Sequence, residues 1–486
     1  MYESADVRIN EGEHMKRLIS VIAALALLMP FVYIPKAKAM SFPLKSPIQS
    51  ESTVLVNLDA DIILHEKNPD LKQMPGPLVN IMTAVIVLEE CHDLNKELTL
   101  DPEVYTHIYE TLNERDFSDD LPDCDLCDGD VLTINDLLYC MMLTSSVEAA
   151  ETLAYHVGGD SVSGFVEMMN NKAAELGMSS THFTNPTGMY DENQYTTARD
   201  MTTLTRYALD VPLFENIATT YSYTPSVPNP ERHQHIDEWI WKHSNVMMDP
   251  DNENYYMGAK GIKTANLVAA GRNIISIASK DGNNYLAVLL KAPFNDSEGN
   301  VTYYHIDDAK KLFDWGFNHF SYQIILADTA EVGELPVSLA DGNDYVLARP
   351  KEEFSLLWYD EIDTSLIKKD KITWYKSSLQ APVKKGDVLG EVTLEYSGEE
   401  LGTVELVAVS DVERSKSKYN LEAAKRFYKS DWFKNALKIS IVLCIIYIVI
   451  CIYSWVVFKS KAKPLKPIYA VPKMSKKKKK KPTQKK

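Results

Sequence analysis

A run of 20 residues without a charged side chain, from Ile439 to Phe458, constrains this chain of 486 residues more than any other feature. A helix rises about 1.5 Å per residue, so the run matches the roughly 30 Å of hydrocarbon in a bilayer. Lys459, Lys461 and Lys463 follow at once, and lysines beside a span mark its cytoplasmic side. The sequence therefore predicts a cell-membrane protein with one C-terminal transmembrane helix (439–458), an extracellular ectodomain and a cytoplasmic tail.

An N-terminal segment has the pattern of an export signal. Residues 16–39 start with Lys-Arg, continue largely apolar as far as Pro35, and close on Ala37-Lys38-Ala39. Positive charge, an apolar centre and a small-x-small site in that order are typical of a secretory signal peptide. We therefore interpret residues 1–39 as a leader. An uncleaved anchor is the alternative, and Pro30 and Pro35 disfavour it because they interrupt the apolar segment.

The distribution of charge argues against one class of partner. Residues 459–486 hold 13 lysines and no acid, so the net charge of −17 rests on a strongly acidic body. An acidic ectodomain argues against nucleic-acid binding. The Lys476–Lys481 run in the basic tail predicts contact with anionic lipid at the cytoplasmic face of the membrane. A cytoplasmic protein partner for this tail is the alternative.

The cysteines allow two interpretations. Cys444 and Cys451 lie in the predicted span, and the other four lie outside it: Cys91, Cys124, Cys127 and Cys140. Cys124 and Cys127 belong to the acidic insert Glu114–Asp130, and a redox motif shares their spacing. We favour a structural disulfide, with Cys124–Cys127 as the leading pair and the other pairings among the four cysteines left open. A metal site is the weaker alternative, because no second Cys or His pair stands where it would complete one. We expect no metal and no cofactor.

Periodicity predicts a mixed domain over residues 50–320 and a β-rich domain over residues 322–412. In the first, alternation predicts a hairpin and two further strands, and helical spacing predicts four helices. The strands are Ser52–Glu66 as the hairpin, Asn273–Ser279 and Tyr285–Leu290; the helices are Leu78–Cys91, two within Leu132–Gly158, and 199–210. Short alternating runs punctuated by glycine fill the second domain, and residues 413–435 are predicted to be a helical linker to the span.

Three short segments carry the chemistry that a chain of this kind could perform. The first, Met74–Thr83, resembles the serine-acylation segment of the low-molecular-mass penicillin-binding proteins, Pro-Ala-Ser-Leu-Thr-Lys-Ile-Met-Thr. In that family the Ser-x-x-Lys motif places a nucleophile and its base three residues apart on one helix face. Here the serine position is Pro77 and the lysine position is Asn80. Neither a proline nor an asparagine amide supplies a nucleophile or a useful base.

The other two segments are partly preserved. Ser145-Ser146-Val147 resembles the family's Ser-x-Asn motif, with the serine kept at Ser145 and the asparagine replaced by Val147. The segment 261–265 resembles Gly-Leu-Lys-Thr-Gly, with Lys263 and Thr264 kept and the last glycine replaced by Ala265. The resemblance implies that Ser145, Lys263 and Thr264 line a vestigial binding pocket.

Longer stretches support the same resemblance. They are Leu176–Gly188, Tyr195–Met201 and Ala269–Arg272. The resemblance covers about residues 50–320 and implies a D-alanyl-D-alanine carboxypeptidase (serine peptidase S11) ancestry. The implied fold is an α/β (α+β) domain like those of serine β-lactamases and penicillin-binding proteins, followed by a small all-β domain and the C-terminal transmembrane helix.

Each retained residue also has a purely structural interpretation. Ser145 and Ser146 could be polar residues at a helix start, and Lys263 could be a solvated strand lysine. We expect His182 to be structural and Asp200 to cap or pair within the helix that follows it.

The resemblance implies a substrate class, and the substitutions predict a loss of activity. The family's substrate is the terminal D-Ala-D-Ala of the wall precursor, so the implied partners are peptidoglycan stem peptides or wall-synthesis proteins. We predict a non-catalytic member that binds wall peptides or acts as a scaffold. One alternative is an active hydrolase with relocated catalytic groups that depends on Ser145 and Lys263, since the carboxylate of Glu148, three residues after Ser145, is a poor base. Another is an interaction protein that does not use its pocket.

Overall fold

The computed structural model describes residues 42–101, 124–226 and 239–460, together with residues 231, 233 and 234 and the backbone of 38, 39 and 461. The predicted signal peptide, most of the acidic insert and nearly all of the lysine-rich tail lie outside the described residues. The chain forms two compact units. The first comprises residues up to Gln323 together with Ser355–Asp363, and the second comprises Ile324–Phe354 and the chain from Thr364 onward.

A six-stranded sheet organises the first unit, with the strand order β1-β3-β2-β10-β9-β8. Its strands are β1 (Lys38–Ala39), β2 (Ser52–Asn57), β3 (Ile62–Lys67), β8 (Ala259–Leu267), β9 (Gly271–Lys280) and β10 (Asn283–Ala292). All strand pairs are antiparallel except β1 with β3. The predicted hairpin is confirmed, and its turn is closed by Asn57 Oδ1, which accepts a hydrogen bond from the Ala60 amide at 2.7 Å.

Two short strand pairs and a set of helices complete this unit. The strands are β4 (Glu97–Thr99), β5 (Val131–Thr133), β6 (Ser222–Tyr223) and β7 (Trp241–Lys242), with β4 paired to β5 and β6 to β7. The helices are α1 (Asn80–Glu90), α2 (Ile134–Thr144), α3 (Val147–Val157), α4 (Val162–Glu175), α5 (Ala198–Asp210), α6 (Phe214–Ala218) and α7 (Tyr304–His319). The helices predicted from periodicity are confirmed within one or two residues at their ends.

Strand β10 is apolar on both of its faces. From Tyr285 to Leu290 every residue is buried, because helices cover both faces of the sheet. The Tyr285 hydroxyl donates to the Gly316 carbonyl of α7 at 3.0 Å, while Leu286 and Val288 belong to the main core on the other face. Alternate side chains therefore pack on opposite layers.

Helix α1 lies inside this main core. Every residue from Asn80 to Val87 is buried, and the helix contacts the five helices α2 to α6. A helix that is apolar on all sides is typical of a buried core element. Its position fixes the start of the helix, and with it positions 77 and 80, in the middle of the unit.

An aromatic cluster ties Ser355–Asp363 to the first unit. The Phe42 ring lies 5.1 Å from Phe320, 5.7 Å from Trp358 and 5.6 Å from Tyr359, and Trp315 lies 4.9 Å from Phe320. Edge-to-face pairs of this kind are favourable beyond the area that they bury. This segment falls inside the range 322–412 that alternation assigns to the β domain.

The second unit is an all-β domain followed by helices. One six-stranded sheet has the order β15-β17-β18-β13-β12-β16. Its strands are β12 (Gly333–Ser338), β13 (Tyr345–Pro350), β15 (Lys368–Trp374), β16 (Leu379–Gln380), β17 (Val388–Tyr396) and β18 (Glu399–Ala408). Strands β11 (Phe320–Leu326) and β14 (Phe354–Tyr359) pair with each other in a separate sheet, and most of their residues belong to the first unit. The predicted all-β character is confirmed.

Two helices follow that sheet. Helix α8 (Lys416–Lys429) confirms that the linker is helical, and α9 (Asp431–Lys461) contains the apolar run. The apolar side chains of α9 between Ile439 and Phe458 are exposed. Its length and composition make it a candidate membrane span, the one such helix among the described residues.

The predicted Cys124–Cys127 disulfide is wrong in this structure, where no described cysteine forms a disulfide. Cys124 is buried in the core. Burial, together with a hydrogen bond to Cys124, raises the pKa of the Cys140 thiol. Cys127 instead donates its amide to the Asp130 carboxylate at 2.8 Å. Cys124 and Cys127 therefore lie in different environments.

We predict that Glu151→Gln stabilises the protein above neutral pH. Glu151 on α3 is only 6% exposed, and burial raises its pKa to about 7. Since the folded pKa lies above the unfolded value, the wild type loses stability as pH rises from about 4.5 to 7. The substitution should remove that loss and raise the free energy of unfolding at pH 8 by on the order of 1–3 kcal/mol.

Urea denaturation at pH 5 and pH 8 measures this difference. The exposed Glu167→Gln on α4 is the matched control and should change stability equally little at both pH values. Parallel pH profiles for wild type and Glu151→Gln would contradict the account.

Candidate active site

The first motif segment forms the entrance to helix α1. Gly76–Val79 is a 3-10 turn with Pro77 at its start, and all four residues are buried. Proline fits there because the first amides of a helix have no intrahelical acceptor. The side-chain Nδ2 of Asn273, on β9, donates to the Pro75 carbonyl at 3.2 Å and so holds the turn against that strand. The fold at this position is therefore retained without a hydroxyl group.

The loop 185–188 packs directly on the same turn. A Cβ on Gly188, which has φ +84°, would lie 2.1 Å from the Gly76 carbonyl oxygen. The close approach therefore requires glycine at position 188. The backbone of Gly76 and Pro77 is thus enclosed by a neighbouring loop.

Asn80 occupies the base position and is fully buried. Its Nδ2 donates to the Pro186 carbonyl at 3.3 Å, and that carbonyl also accepts from the Thr83 hydroxyl at 2.8 Å. Within the described part of the chain, Asn80 Oδ1 has no hydrogen-bond partner. An amide at this place fastens the loop and supplies no proton acceptor for a nucleophile.

Lys263 is the positively charged residue among the three predicted pocket residues, and it contacts Ser145. Its Nζ lies 2.9 Å from the Met141 carbonyl, 2.9 Å from the Met142 carbonyl and 2.6 Å from Ser145 Oγ. The side chain is completely buried, which excludes the interpretation of a solvated strand lysine. Burial lowers the pKa of Lys263 to about 7, although Cys140 opposes the shift.

Ser145 and Ser146 have different structural roles at the junction of α2 and α3. Ser145 ends α2 in the left-handed conformation, with φ 68°, and is 7% exposed. Ser146 caps α3 by accepting the Ala149 amide at 3.1 Å, so its helix-start interpretation is confirmed. Glu148 accepts from the Ser146 hydroxyl at 2.8 Å. Lys263 is the group that meets the Ser145 hydroxyl.

Val147 and Ala265 occupy the other two degenerate positions. Val147 begins α3 and is half-buried, so no amide extends from it into the site. Ala265 is buried on β8, and a methyl group at Gly76 would lie 3.4 Å from its Cβ. Strand β8 therefore packs on the turn before α1. Beside it the Thr264 hydroxyl lies 2.6 Å from the Ser244 hydroxyl.

The remaining motif residues are structural, but the expected capping role of Asp200 is wrong, because Thr197 caps helix α5 and the Asp200 carboxylate bonds to a different loop. Asp200 accepts hydrogen bonds from the Ser180 amide at 3.0 Å and the Thr181 hydroxyl at 2.7 Å. The His182 backbone pairs with Tyr195 in an isolated bridge. These contacts shape the loop that carries Asn185 and Pro186 to the turn.

One group of side chains was missed by the sequence analysis. His233 Nε2 lies 2.9 Å from an oxygen of Asp130, and Cys127 Sγ lies in the same cluster. The sequence analysis looked for a second Cys or His pair, whereas the structure brings a single histidine and an aspartate to Cys127. The residues are 103 positions apart, and no local pattern signals such a contact.

We predict that Lys263 makes stability rise with pH. Because the folded pKa of about 7 lies below the unfolded value, the unfolded chain binds one more proton between about pH 7 and 10. The stability of wild type relative to Lys263→Met should therefore increase by up to about 1.4 kcal/mol per pH unit over that range. Urea denaturation at pH 7 and pH 9 measures it.

The control is Lys260→Met, an exposed lysine on the same strand. Its stability difference from wild type should not depend on pH. A flat difference for Lys263→Met as well would show that the three hydrogen-bond acceptors offset the burial of the amine.

Comparison with known proteins accounts for both units. The family profile of the D-alanyl-D-alanine carboxypeptidases matches residues 36–294, more than half of the chain. The profile of the penicillin-binding protein 5 C-terminal domain matches residues 320–414.

Individual relatives match over most of their own length. D-alanyl-D-alanine carboxypeptidase DacA of Haemophilus influenzae is 26% identical over 388 residues, which are 77% of this chain and 88% of the relative. D-alanyl-D-alanine carboxypeptidase DacF of Bacillus subtilis is 24% identical over 405 residues, 82% of this chain and 96% of the relative. The crystal structure of penicillin binding protein 5 from Haemophilus influenzae superposes with a TM-score of 0.53 at 23% identity. That superposition covers 77% of this chain and all of the other.

Proposed function

This chain belongs to the D-alanyl-D-alanine carboxypeptidase family of peptidoglycan metabolism, and we propose that it is a catalytically inactive, membrane-anchored member. The observation that carries the proposal is the buried pair Pro77 and Asn80 at the start of helix α1. Acyl transfer by a serine enzyme needs a hydroxyl and an adjacent base that activates it. Neither group is present at these two positions.

The expected loss of turnover is large because the nucleophile and its base act as one catalytic unit. In a comparable serine hydrolase, removal of the nucleophile alone lowers turnover by on the order of 10⁶, about as much as removing all the catalytic groups. Residual binding does not restore the covalent step. Turnover at the ordinary position of the nucleophile is therefore expected to be undetectable.

Two non-catalytic roles fit an inactive member, namely recognition of stem peptides and scaffolding of wall-synthesis proteins. The groups left in the pocket are Ser145, Lys263 and Thr264, and each is less than a tenth exposed. Such groups offer little surface to a peptide. Their burial favours the scaffold, whose partners would contact the outer surface of the ectodomain.

The proposal predicts no release of D-alanine from a stem pentapeptide above a buffer blank. DacA of Haemophilus influenzae serves as the positive control under identical conditions. Fluorescent penicillin should likewise leave the wild-type chain unlabelled. Release at a rate near that of the control would overturn the assignment as an inactive member.

Restoring the lost groups tests whether the cleft still has its ancestral geometry. The variant Pro77→Ser, Asn80→Lys, Val147→Asn, Ala265→Gly should acquire penicillin labelling if the pocket is preserved. The same variant with Pro77→Ala in place of Pro77→Ser is the matched control and should stay unlabelled. Absence of labelling in a folded serine variant would show that the cleft itself has changed.

One observation favours a second candidate, an active hydrolase with Ser145 as nucleophile and Lys263 as base. If the amine is neutral, its two N–H groups can donate to the Met141 and Met142 carbonyls. Its lone pair is then left to accept from the Ser145 hydroxyl at 2.6 Å. A base with a pKa near the working pH suits proton transfer, and burial lowers the pKa of Lys263 to about 7.

The two candidates separate on the variants Ser145→Ala and Lys263→Met. If D-alanine is released by wild type, and both substitutions abolish the release while Ser146→Ala does not, then the second candidate is correct. If nothing is released by any of these proteins, the inactive assignment stands.

The membrane anchor forms part of the proposal. Helix α9 supports it by its length and its exposed apolar side chains. The predicted topology places the ectodomain outside and the lysine-rich tail at the cytoplasmic face, where anionic lipid would attract it.

We predict that deletion of residues 439–486 releases the protein into the soluble fraction. The full chain should stay with membranes after a carbonate wash, because about 20 apolar residues hold it in the bilayer. Protease added to intact cells should remove the ectodomain and spare an epitope placed after Lys486. Loss of that epitope from intact cells would contradict the orientation.

A further inference from the structure

We propose that Cys127, Asp130 and His233 form a binding site for one Zn²⁺ ion in the first unit. One ligand atom from each of the three residues lies within 4.8 Å of the other two. Asp130 immediately precedes strand β5, and His233 lies in the connection between β6 and β7. This cluster shares no residue with the degenerate active site, and the proposal does not depend on the function assigned to that site.

The two buried ligands already face each other. His233 Nε2 lies 3.0 Å and 2.9 Å from the two carboxylate oxygens of Asp130, and neither side chain is exposed to solvent. In a tetrahedral zinc site with Zn–N and Zn–O bonds of about 2.0–2.1 Å, the nitrogen and oxygen ligands stand roughly 3.3 Å apart. A separation larger by a few tenths of an ångström is therefore enough to admit the ion.

A tight turn holds the third ligand beside them. The Cys127 amide donates to Asp130 Oδ2 at 2.8 Å, and the Asp130 amide donates to the Cys127 carbonyl at 3.1 Å. The Gly129 amide donates to the Leu100 carbonyl at 2.7 Å, and the Leu100 amide donates to the Asp130 carbonyl at 2.8 Å. Gly129 has φ 78°, which glycine adopts without strain. The backbone thus fixes the Cys127 and Asp130 side chains near each other before any ion binds.

The donor set selects zinc among the common divalent cations. Thiolate sulfur and imidazole nitrogen are ligands that Zn²⁺ prefers, whereas Mg²⁺ and Ca²⁺ take oxygen ligands. One thiolate and one carboxylate neutralise the charge of the ion, so the loaded site adds no net charge to a buried place. Binding displaces the proton of the Cys127 thiol and needs a neutral His233. Three protein ligands leave a fourth position for water.

Aromatic rings cover part of the cluster. The Trp239 ring packs edge-on against His233 at 4.5 Å and 85°, and Trp241 lies 6.4 Å from Trp239. These rings shield one side of the cluster from solvent. Zinc would join parts of the chain 103 residues apart, with an effect like that of a cross-link on the folded state.

A metal-free histidine–aspartate pair is the competing interpretation, and Cys127→Ser separates the two. The substitution removes the thiolate and leaves His233 and Asp130 in place. The full chain in detergent, without a histidine tag, is incubated with ZnCl₂ and dialysed, and zinc is measured by inductively coupled plasma mass spectrometry. Cys91→Ser, which changes a cysteine outside the cluster, is the matched control.

Wild type and Cys91→Ser should retain one zinc per chain. Cys127→Ser should bind it more weakly by at least about 10–100-fold, the loss that follows even from removing an outer-shell partner of a ligand. Zinc should also raise the melting temperature of wild type by several degrees, and EDTA should reverse the rise. Co²⁺ in place of zinc should give a thiolate charge-transfer band that Cys127→Ser lacks. Retention of no zinc by wild type, or equal affinity in Cys127→Ser, would overturn the proposal.

Discussion

The packing of the turn before helix α1 is the contact on which the rest of the first unit depends. Gly76–Val79 is buried between strand β8, strand β9 and the loop that ends at Gly188. Helix α1 then continues through the core and touches five other helices. In this position a proline preserves the fold, because a first-turn residue donates no helical hydrogen bond. The same residue removes the group on which acyl transfer depends, so stability and chemistry are separated at a single residue.

The second constraint is the burial of Lys263. An amine taken out of water must find acceptors, and the C-terminal end of helix α2 provides two carbonyls and the Ser145 hydroxyl. This arrangement explains why Lys263 and Ser145 can persist after the acylation pair is lost, since removing either would leave buried groups unsatisfied. It also explains why their presence is poor proof of activity. The proton on Lys263 decides between a structural clamp and a base.

Local patterns predicted local structure well. The hairpin Ser52–Glu66 and helix Leu78–Cys91 follow from the alternation and spacing of their own side chains, and the structure has both. The site residues came from the family resemblance, and the Lys263–Ser145 contact agrees with it. Contacts between distant segments were not predictable in this way. Alternation does not say that Ser355–Asp363 packs on the first unit, and the spacing of Cys124 and Cys127 does not say where each sulfur atom points. His233 carries no local signal for its contact with Asp130.

The central claim is that no side chain in the ancestral cleft can form an acyl-enzyme. Intact-mass measurement of the full chain after prolonged exposure to a β-lactam tests it most directly, because a covalent adduct is counted whether or not it turns over. The account predicts an unchanged mass, with DacA of Haemophilus influenzae shifted by one drug molecule in parallel. A stoichiometric adduct that peptide mapping places on Ser145, or on any other residue of the cleft, would contradict it.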